Sequence, residues 1–321
     1  MKPSLLYVTP VVPQLTGNGL AMRAGMVLEA LAAHYKVSLL AIPLYPPIAP
    51  VPQALAQLCY RTCVAPPGEW ARERWWKPWT AAARYRRLRF DVVHVFRLAT
   101  FPWARPWLDG ALCHLDMDDL EPETHRRLAA LYGANGDPAR AAMEEAEARH
   151  AEAIEREALR VCRRVYVCSG VDRARLGARA PAADLVQVLP NAVREAPQAA
   201  RAGCPADPFP LLFVGTLSYY PNEDAVLHFS RDIAPSIRAR FVFQAVGPGA
   251  APRLNRNNVH LAGAVPDVAP WYAQAGAVVA PIRAGGGTRI KILEAFAHGC
   301  PVVSTSLAAE GLDVRDGEHL L

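Results

Sequence analysis

Short apolar runs alternate along this chain with longer segments whose apolar residues recur at helical spacing. Leu5–Val8 and Val37–Ile42 have the length and composition of buried strands, and Met22, Met26, Leu28 and Leu31 between them lie at helical spacing. A strand that is followed repeatedly by a helix predicts a parallel sheet covered on both faces. The other strands predicted in this half are Asp91–Phe96, Ala111–Leu115, Val165–Cys168 and Leu185–Leu189, and a long charged helix is predicted from about Ala139 to Cys162.

The alternation stops at Glu195–Pro210, a segment rich in alanine and proline, and then begins again. We interpret it as a linker over residues 196–210 between an N-terminal domain (residues 1–195) and a C-terminal domain (residues 211–321). The sequence therefore predicts an α/β protein of two Rossmann-like, doubly wound parallel-sheet domains that face each other across a cleft, with ligands at the carboxyl ends of strands. The second half is predicted to contain strands Leu211–Val214, Phe241–Val246, Val259–Leu261, Ala277–Ile282 and Pro301–Thr305, and helices Asn222–Arg238, Val268–Ala275 and Thr288–His298.

The composition is that of an ordinary globular protein, with 52% apolar and 20% charged residues in 321. The seven cysteines are scattered and none forms a CxxC pair, which argues against zinc and favours buried thiols in a cytosolic protein. The N-terminus lacks a small-residue cleavage site, so no signal peptide is predicted. Five prolines within Val37–Tyr60 argue against a spanning helix in that uncharged stretch, which we interpret as a strand followed by a loop.

The net charge of +5 is concentrated in the segment Trp70–Arg89, which has seven basic residues and one acid. A nucleic-acid-binding protein would spread its basic residues over a face, so no nucleic-acid partner is predicted. Four tryptophans lie among the arginines of this segment, as suits contact with an anionic membrane surface. The alternative is a surface helix whose tryptophans pack on the sheet.

The strongest chemical motif is the segment Pro281–Glu294, where a strand ends, three glycines follow and a helix begins near Thr288. Free N–H groups at a helix start attract phosphate, and Arg289 and Lys291 add cations in the first turn. Glu294, further along the helix, is within reach of sugar hydroxyls. The alternative is an ordinary strand–helix turn with a Lys291–Glu294 pair. The spacing excludes a Walker A loop.

These residues resemble the retaining glycosyltransferases of family 4, which have the GT-B fold. The likeness is strongest over Gly285–Leu312 and extends to Leu211–Ala225, Val188–Val193 and Phe90–His94. It implies that the C-terminal domain holds a nucleotide-diphosphate sugar and that the N-terminal domain holds an acceptor. The donor-binding residues implied are Gly215, Thr216, Arg283, Gly286, Gly287, Thr288, Arg289, Lys291 and Glu294, of which Arg289 and Lys291 are also assigned catalytic roles.

The sequence departs from the family pattern at three places. Gly286 stands eight residues before Glu294, where relatives often have a second glutamate, so the backbone N–H groups of Gly286–Thr288 must replace that carboxylate. Thr216 and Pro221 stand where relatives have an arginine and a lysine, so diphosphate neutralisation passes to Arg289 and Lys291, helped by Arg283. Phe96 stands where some relatives have a second histidine, which weakens the assignment of His94 as catalytic; the alternative is a packing histidine.

Other candidate residues belong to the N-terminal domain. The Gly17-Asn18-Gly19 loop follows the first strand, and in the family the matching loop reaches the donor phosphate or the transferred sugar. Asp118 and Asp119 end another strand and are candidates for orienting acceptor hydroxyls, or for capping a helix. No metal site and no cofactor are predicted.

The resemblance predicts transfer of a sugar to a glycan or lipid-linked acceptor with retention of configuration. A nucleotide-sugar epimerase and a catalytically inactive sugar-nucleotide-binding protein are the alternatives. The alanine and arginine bias indicates a bacterial source and a role in envelope polysaccharide synthesis, with the protein in the cytoplasm or at the inner face of the membrane. Because relatives usually continue for several dozen residues, we expect this chain to be truncated at its C-terminus.

Overall fold

The computed structural model describes residues 2–44, 50–65, 85, 87–194, 207–254 and 259–321. These ranges divide into two compact units. Unit 1 comprises Met1–Pro122 and Glu145–Pro190, and unit 2 comprises Glu123–Glu144 and Asn191–Leu321. Most of the tryptophan- and arginine-rich segment and most of the predicted linker lie outside the described residues.

Unit 1 is built on one parallel sheet of seven strands in the order β3-β2-β1-β4-β5-β6-β7. The chain runs outward from β1 to β3 and then outward from β4 to β7 on the other side, which is the doubly wound arrangement that the alternation predicted. The strands are β1 (Ser4–Thr9), β2 (Lys36–Ala41), β3 (Arg61–Val64), β4 (Val92–Phe96), β5 (Leu112–Asp118), β6 (Arg164–Val167) and β7 (Val186–Val188).

The helices of unit 1 connect these strands in sequence. They are α1 (Gly19–His34), α2 (Gln53–Leu58), α3 (Phe101–Ala104) and α6 (Gly170–Gly177). The first two residues of α4 (Glu121–Ala134) and the part of α5 (Pro138–Val161) from Glu145 onward also belong to unit 1. Two strand positions show how the sheet is buried: Leu6 belongs to the core on one face, and Tyr7 belongs to the core on the other. Side chains alternate along a strand, so a continuous apolar run supplies both cores.

Unit 2 contains a five-stranded parallel sheet in the order β10-β9-β8-β11-β12. Its strands are β8 (Phe209–Val214), β9 (Phe241–Val246), β10 (Val259–Gly263), β11 (Ala277–Ala280) and β12 (Val302–Ser304). Its helices are α7 (Tyr220–His228), α8 (Ala269–Gln274) and α9 (Ile290–Ala297), and α7 continues into a π-helical turn, Phe229–Ile233. The two parallel α/β sheets predicted from the sequence are therefore confirmed.

A helical hairpin, Glu123–Glu144, groups with unit 2 although strands of unit 1 flank it in the sequence. It contains most of α4, the turn at residues 135–137 and the first part of α5. Leu128, Leu131 and Tyr132 form a small apolar cluster with Ala284 of the glycine-rich segment. The predicted N-terminal domain, residues 1–195, included this hairpin.

Local differences from the predicted elements have local causes. The stretch Val37–Tyr60, interpreted as a strand followed by a loop, also contains α2, and β3 begins directly after it. Proline is tolerated there because Pro52 stands at the N-cap of α2, where a missing N–H breaks no helical hydrogen bond. The single helix predicted over Asn222–Arg238 is α7, which is followed by the π-helical turn and a 3₁₀ turn, Ala234–Ser236, that carries Pro235 near its start.

Candidate functional site

The glycine-rich loop between β11 and α9 has a backbone that other residues would adopt only with strain. Gly285 has φ +118° and Gly287 has φ +67°, both in the left-handed region. A Cβ on Gly285 would also lie 3.1 Å from Nη2 of Arg289. The glycines therefore allow the loop to turn tightly beside a guanidinium group.

Arg289 is folded back onto this loop. Its Nη1 donates to the carbonyl oxygen of Gly286 and, at 3.4 Å, to that of Gly287. Its Nε and Nη2 are buried and have no hydrogen-bond partner among the described residues. Buried charged donors are costly when they lack an acceptor, so this edge of the guanidinium favours an anion.

Lys291 lies in the first turn of α9, among residues that are distant in sequence. Its Nζ donates to Oδ1 of Asn222 at 2.7 Å and lies 3.9 Å from the ring centroid of Phe213. A Cβ on Gly215 would lie 2.9 Å from Nζ, so glycine is needed there for the lysine to keep this position. Burial, with the Arg289 charge as a second cause, lowers the pKa of Lys291 to about 7.

Asn222 connects Thr216, in the loop after β8, to Lys291 of α9. Its Nδ2 donates to the carbonyl oxygen of Thr216 at 2.9 Å while its Oδ1 accepts from Lys291. The structure thus brings Gly215, Thr216 and Lys291 together. The sequence analysis assigned no role to Asn222; its place just after Pro221 at the start of a helix was the available signal.

Glu294 is directed toward the interior of unit 2. Its Oε2 accepts from the hydroxyl of Tyr272 at 3.1 Å, and burial raises its pKa. Tyr272 is itself fully buried and stacks on His298, with ring centroids 4.8 Å apart. Glu294 therefore has a structural partner, and its expected contact with ribose hydroxyls stays a prediction.

Two side chains outside the motif hold the loop. Nη1 of Arg127, on α4, donates to the carbonyl oxygen of Gly285 at 2.9 Å, and its Nη2 lies 2.7 Å from a carboxylate oxygen of Glu310. Nδ2 of Asn191 donates to Oγ1 of Thr288 at 2.9 Å. Neither role was predicted, because no local pattern connects these residues to a loop about 100–160 positions later.

Arg283 was predicted to assist at the diphosphate, and the structure gives it a different partner. Its Nε and Nη2 donate to the two carboxylate oxygens of Asp224 at 2.9 and 2.6 Å, and Nη2 also donates to Oδ1 of Asn135 at 3.2 Å. A bidentate pair of this kind fixes the guanidinium in position. Arg283 is therefore committed to α7 and the hairpin turn.

The Gly17-Asn18-Gly19 segment of unit 1 forms the start of α1. Oδ1 of Asn18 accepts from the backbone N–H of Leu20 at 2.8 Å, which makes Asn18 the N-cap. Gly17 has φ +96°, so the loop turns in the left-handed region before the helix. Its expected approach to a phosphate or a sugar stays a prediction.

Asp118 and Asp119 lie in an ion-pair network at the carboxyl ends of β4 and β5. Arg97 pairs with Asp119, lies 3.6 Å from Asp118 and lies 3.2 Å from Glu121. Arg97 and Asp118 both have positive φ, 70° and 61°, which is uncommon for residues other than glycine. These carboxylates therefore pair with Arg97, and their expected role in orienting acceptor hydroxyls stays a prediction.

His94 lies in the middle of the sheet of unit 1, in register with Tyr7 and His114 on the neighbouring strands. It is 4% exposed, and both ring nitrogens are buried without a hydrogen-bond partner among the described residues. Burial lowers the pKa of His94 to about 3. This neutral imidazole is packed among aromatic rings, so its geometry supports the packing interpretation over the catalytic one.

Within the described ranges, no three His, Cys, Asp or Glu side chains are grouped as metal ligands. No helix there is both long and apolar enough to cross a membrane.

Comparison with known proteins concerns both the sequence and the fold. Residues 208–321 match the family model described as "Glycosyl transferases group 1". The structure of HepE from Anabaena, in complex with UDP and glucose, is similar with a TM-score of 0.62 at 14% identity, over 95% of this chain and 81% of that chain. This chain has the GT-B fold.

Two other glycosyltransferase structures are similar to this chain. WaaG, a glycosyltransferase involved in lipopolysaccharide biosynthesis, gives a TM-score of 0.57 at 15% identity, over 94% of this chain and 81% of that chain. A glycosyltransferase from Rickettsia africae gives 0.57 at 11% identity, over 95% and 79%. No curated protein matches the sequence. The family match contains the glycine-rich loop, Arg289 and Lys291.

Proposed function

We propose that this chain transfers a sugar from a nucleotide-diphosphate sugar to a glycan or lipid-linked acceptor, with retention of configuration. The observation that carries the proposal is the cationic end of the glycine-rich loop. Arg289 has two buried nitrogens without a partner among the described residues, and Lys291 lies two residues later in the first turn of α9, where its Nζ donates to Asn222. A diphosphate supplies the oxygens that these groups lack.

In this mechanism the chain stabilises the leaving group. Negative charge grows on the diphosphate as its bond to the sugar breaks, and Arg289, Lys291 and the N–H groups at the start of α9 interact with it most strongly at that moment. Asn222 orients the lysine, and Arg127 holds the loop through the carbonyl of Gly285. No cofactor is required for these steps.

Retention is proposed from the likeness of Gly285–Leu312 to the retaining enzymes of family 4. In a front-face reaction the attacking hydroxyl and the leaving diphosphate lie on the same side of the sugar, so positioning matters more than a strong general base. The position of His94 inside the sheet is compatible with that requirement.

The solved structures support the choice of substrates. HepE binds UDP-glucose in its crystal, and WaaB is described as a lipopolysaccharide outer core galactosyltransferase. A nucleotide sugar as donor and an envelope glycan as acceptor follow for this chain as part of the proposal. The six cysteines within the described ranges are thiols, which suits the reducing cytoplasm.

Incubation with UDP-, GDP- and ADP-sugars and a panel of glycan acceptors tests the proposal. We expect release of one nucleoside diphosphate together with an elongated acceptor whose new linkage keeps the donor's anomeric configuration by NMR. Lys291→Ala should lose this activity, and Arg240→Ala, at an exposed surface arginine of unit 2, should keep it. An epimerised donor, or binding without turnover, would contradict the proposed reaction.

Contact with a membrane through Trp70–Arg89 is a separate part of the proposal, and it concerns a segment that lies mostly outside the described residues. Co-sedimentation with anionic vesicles at low salt is expected, and salt should weaken it because exposed charges are screened. If the protein does not bind the vesicles at low salt, the proposed membrane contact is wrong.

A further inference from the structure

Unit 2 contains a cavity of about 580 Å³, and neither Arg289 nor Lys291 is among its lining residues. It lies between the turn of the helical hairpin on one side and α7 with its π-helical continuation on the other. The residues that matter for its chemistry are Tyr132, Asn135, Arg140, Asp224, Arg231 and Arg283. Cavities of roughly 300–1,000 Å³ hold small-molecule ligands, so this one has room for a di- or trisaccharide.

The walls of the cavity are built from ion pairs. Arg283 is bound bidentately by Asp224, and Arg253 donates to Glu223 at 2.7 and 2.5 Å. Asn135, at the hairpin turn, donates to Asp224 at 2.9 Å. Because carboxylates hold the guanidinium groups, their remaining N–H edges are fixed in direction before any ligand arrives.

The charges around the cavity nearly cancel. The lining has four arginines and three aspartates, and Glu223 behind it compensates Arg253. A site for phosphate would leave several cations uncompensated, whereas this one presents donors directly beside acceptors. A sugar hydroxyl donates and accepts at once, and vicinal hydroxyls need alternating partners of this kind.

Two arginines lie at the rim. Arg231 is exposed on the π-helical turn and forms no ion pair with a described carboxylate, whereas Arg140 is 57% exposed and its Nε lies 3.5 Å from Oδ2 of Asp137. Single π-helical turns often occur at functional positions. Next to Arg140, Tyr132 and Tyr220 stack with ring centroids 3.9 Å apart, and this aromatic pair forms part of the cavity wall.

We propose that this cavity binds a neutral saccharide, two to three residues long. The inference goes beyond the proposed function, because it concerns a site separate from the donor loop and does not require that transfer takes place. Its residues come from the hairpin, α7 and the end of β11, so the hairpin that groups with unit 2 forms one wall of a binding site.

Saturation-transfer NMR with maltotriose, cellotriose and lactose, each at millimolar concentration, tests the inference. We expect transfer from the full chain to at least one of these sugars. The double variant Arg140→Ala/Arg231→Ala should weaken that binding at least fivefold, while Arg240→Ala, which removes an exposed arginine outside the cavity, should leave it unchanged. Circular dichroism and melting temperature verify that each variant folds.

Other outcomes would contradict either the saccharide site itself or its preference for a neutral sugar. No transfer to any of the three sugars, or equal binding in the double variant and in Arg240→Ala, overturns the inference. Binding of inorganic phosphate that depends on Arg140 and Arg231, without sugar binding, makes it an anion site. Lys291→Ala should lose nucleoside diphosphate and keep the saccharide; loss of the saccharide in this variant would place the sugar at the donor loop.

Discussion

Lys291 provides the sharpest test of the donor site, because its environment is unfavourable to the charge that the proposed mechanism needs. Burial and the neighbouring Arg289 lower its pKa to about 7 in the protein without ligand. A bound diphosphate reverses this balance, because the anion favours the protonated amine. Binding above pH 7 should therefore take up a proton at Lys291.

The size of the effect follows from that pKa. The free amine is about 90% neutral at pH 8, so binding should take up about 0.9 proton at Lys291 there. Above pH 7 the apparent Kd should rise about tenfold per pH unit, or roughly 70-fold between pH 7.5 and 9.5. The phosphate groups are already fully ionised in this range and add no slope of their own.

Isothermal titration calorimetry of the nucleoside diphosphate in buffers of different ionisation enthalpy measures the proton uptake directly. Lys291→Arg is the matched variant: an arginine stays charged throughout this range, so its Kd should be nearly independent of pH. Lys291→Ala should bind about 10- to 100-fold more weakly, as expected for a lost charged hydrogen bond. A wild-type Kd that is flat from pH 7.5 to 9.5, or proton uptake that persists in Lys291→Ala, would refute the reasoning.

Four further predictions concern single residues. Arg289→Gln should weaken nucleoside diphosphate binding about 10- to 100-fold by calorimetry, because it removes two charged donors that lack a partner among the described residues; an unchanged Kd would count against the anion site. Arg127→Ala should lower kcat/KM for the donor while Arg127→Lys restores part of it, because the side chain acts through the carbonyl of Gly285; full activity in Arg127→Ala would show that the loop holds itself. Gly285→Ala should lower the free energy of unfolding by about 1 kcal/mol or more in urea titrations, because φ is +118° and the new Cβ approaches Arg289; equal stability would mean that the loop relaxes at no cost. The depressed pKa of His94 means that the unfolded chain binds more protons between about pH 3 and 6.5, so stability falls as pH drops through this window and His94→Phe should lessen that fall; loss of transfer in a folded His94→Phe protein would restore the catalytic interpretation.

Much of the fold could be predicted because the information for it is local. The strand Phe241–Val246 matches its predicted bounds, since a continuous apolar run of strand length in an alternating pattern has few other structures open to it. The helix α4 was missed although it has 14 residues, because its mixed sequence gives only a weak amphipathic pattern. The segment Glu123–Glu144 groups with unit 2 through its contacts, and nothing in its sequence shows that Leu128 and Tyr132 pack near Ala284.

The sequence by itself determined the two parallel α/β sheets, the glycine-rich loop and the identity of its cations, because these depend on the period of apolar residues and on the residues adjacent to a turn. The tertiary structure decided what each charged group does. It placed Lys291 against Asn222 and Phe213, gave Arg283 to Asp224, and buried His94 among aromatic rings. The physical reason is that partner, burial and pKa are set by groups far away in the sequence: Asn222 and Lys291 are 69 residues apart, and only the packed sheet brings them within 2.7 Å.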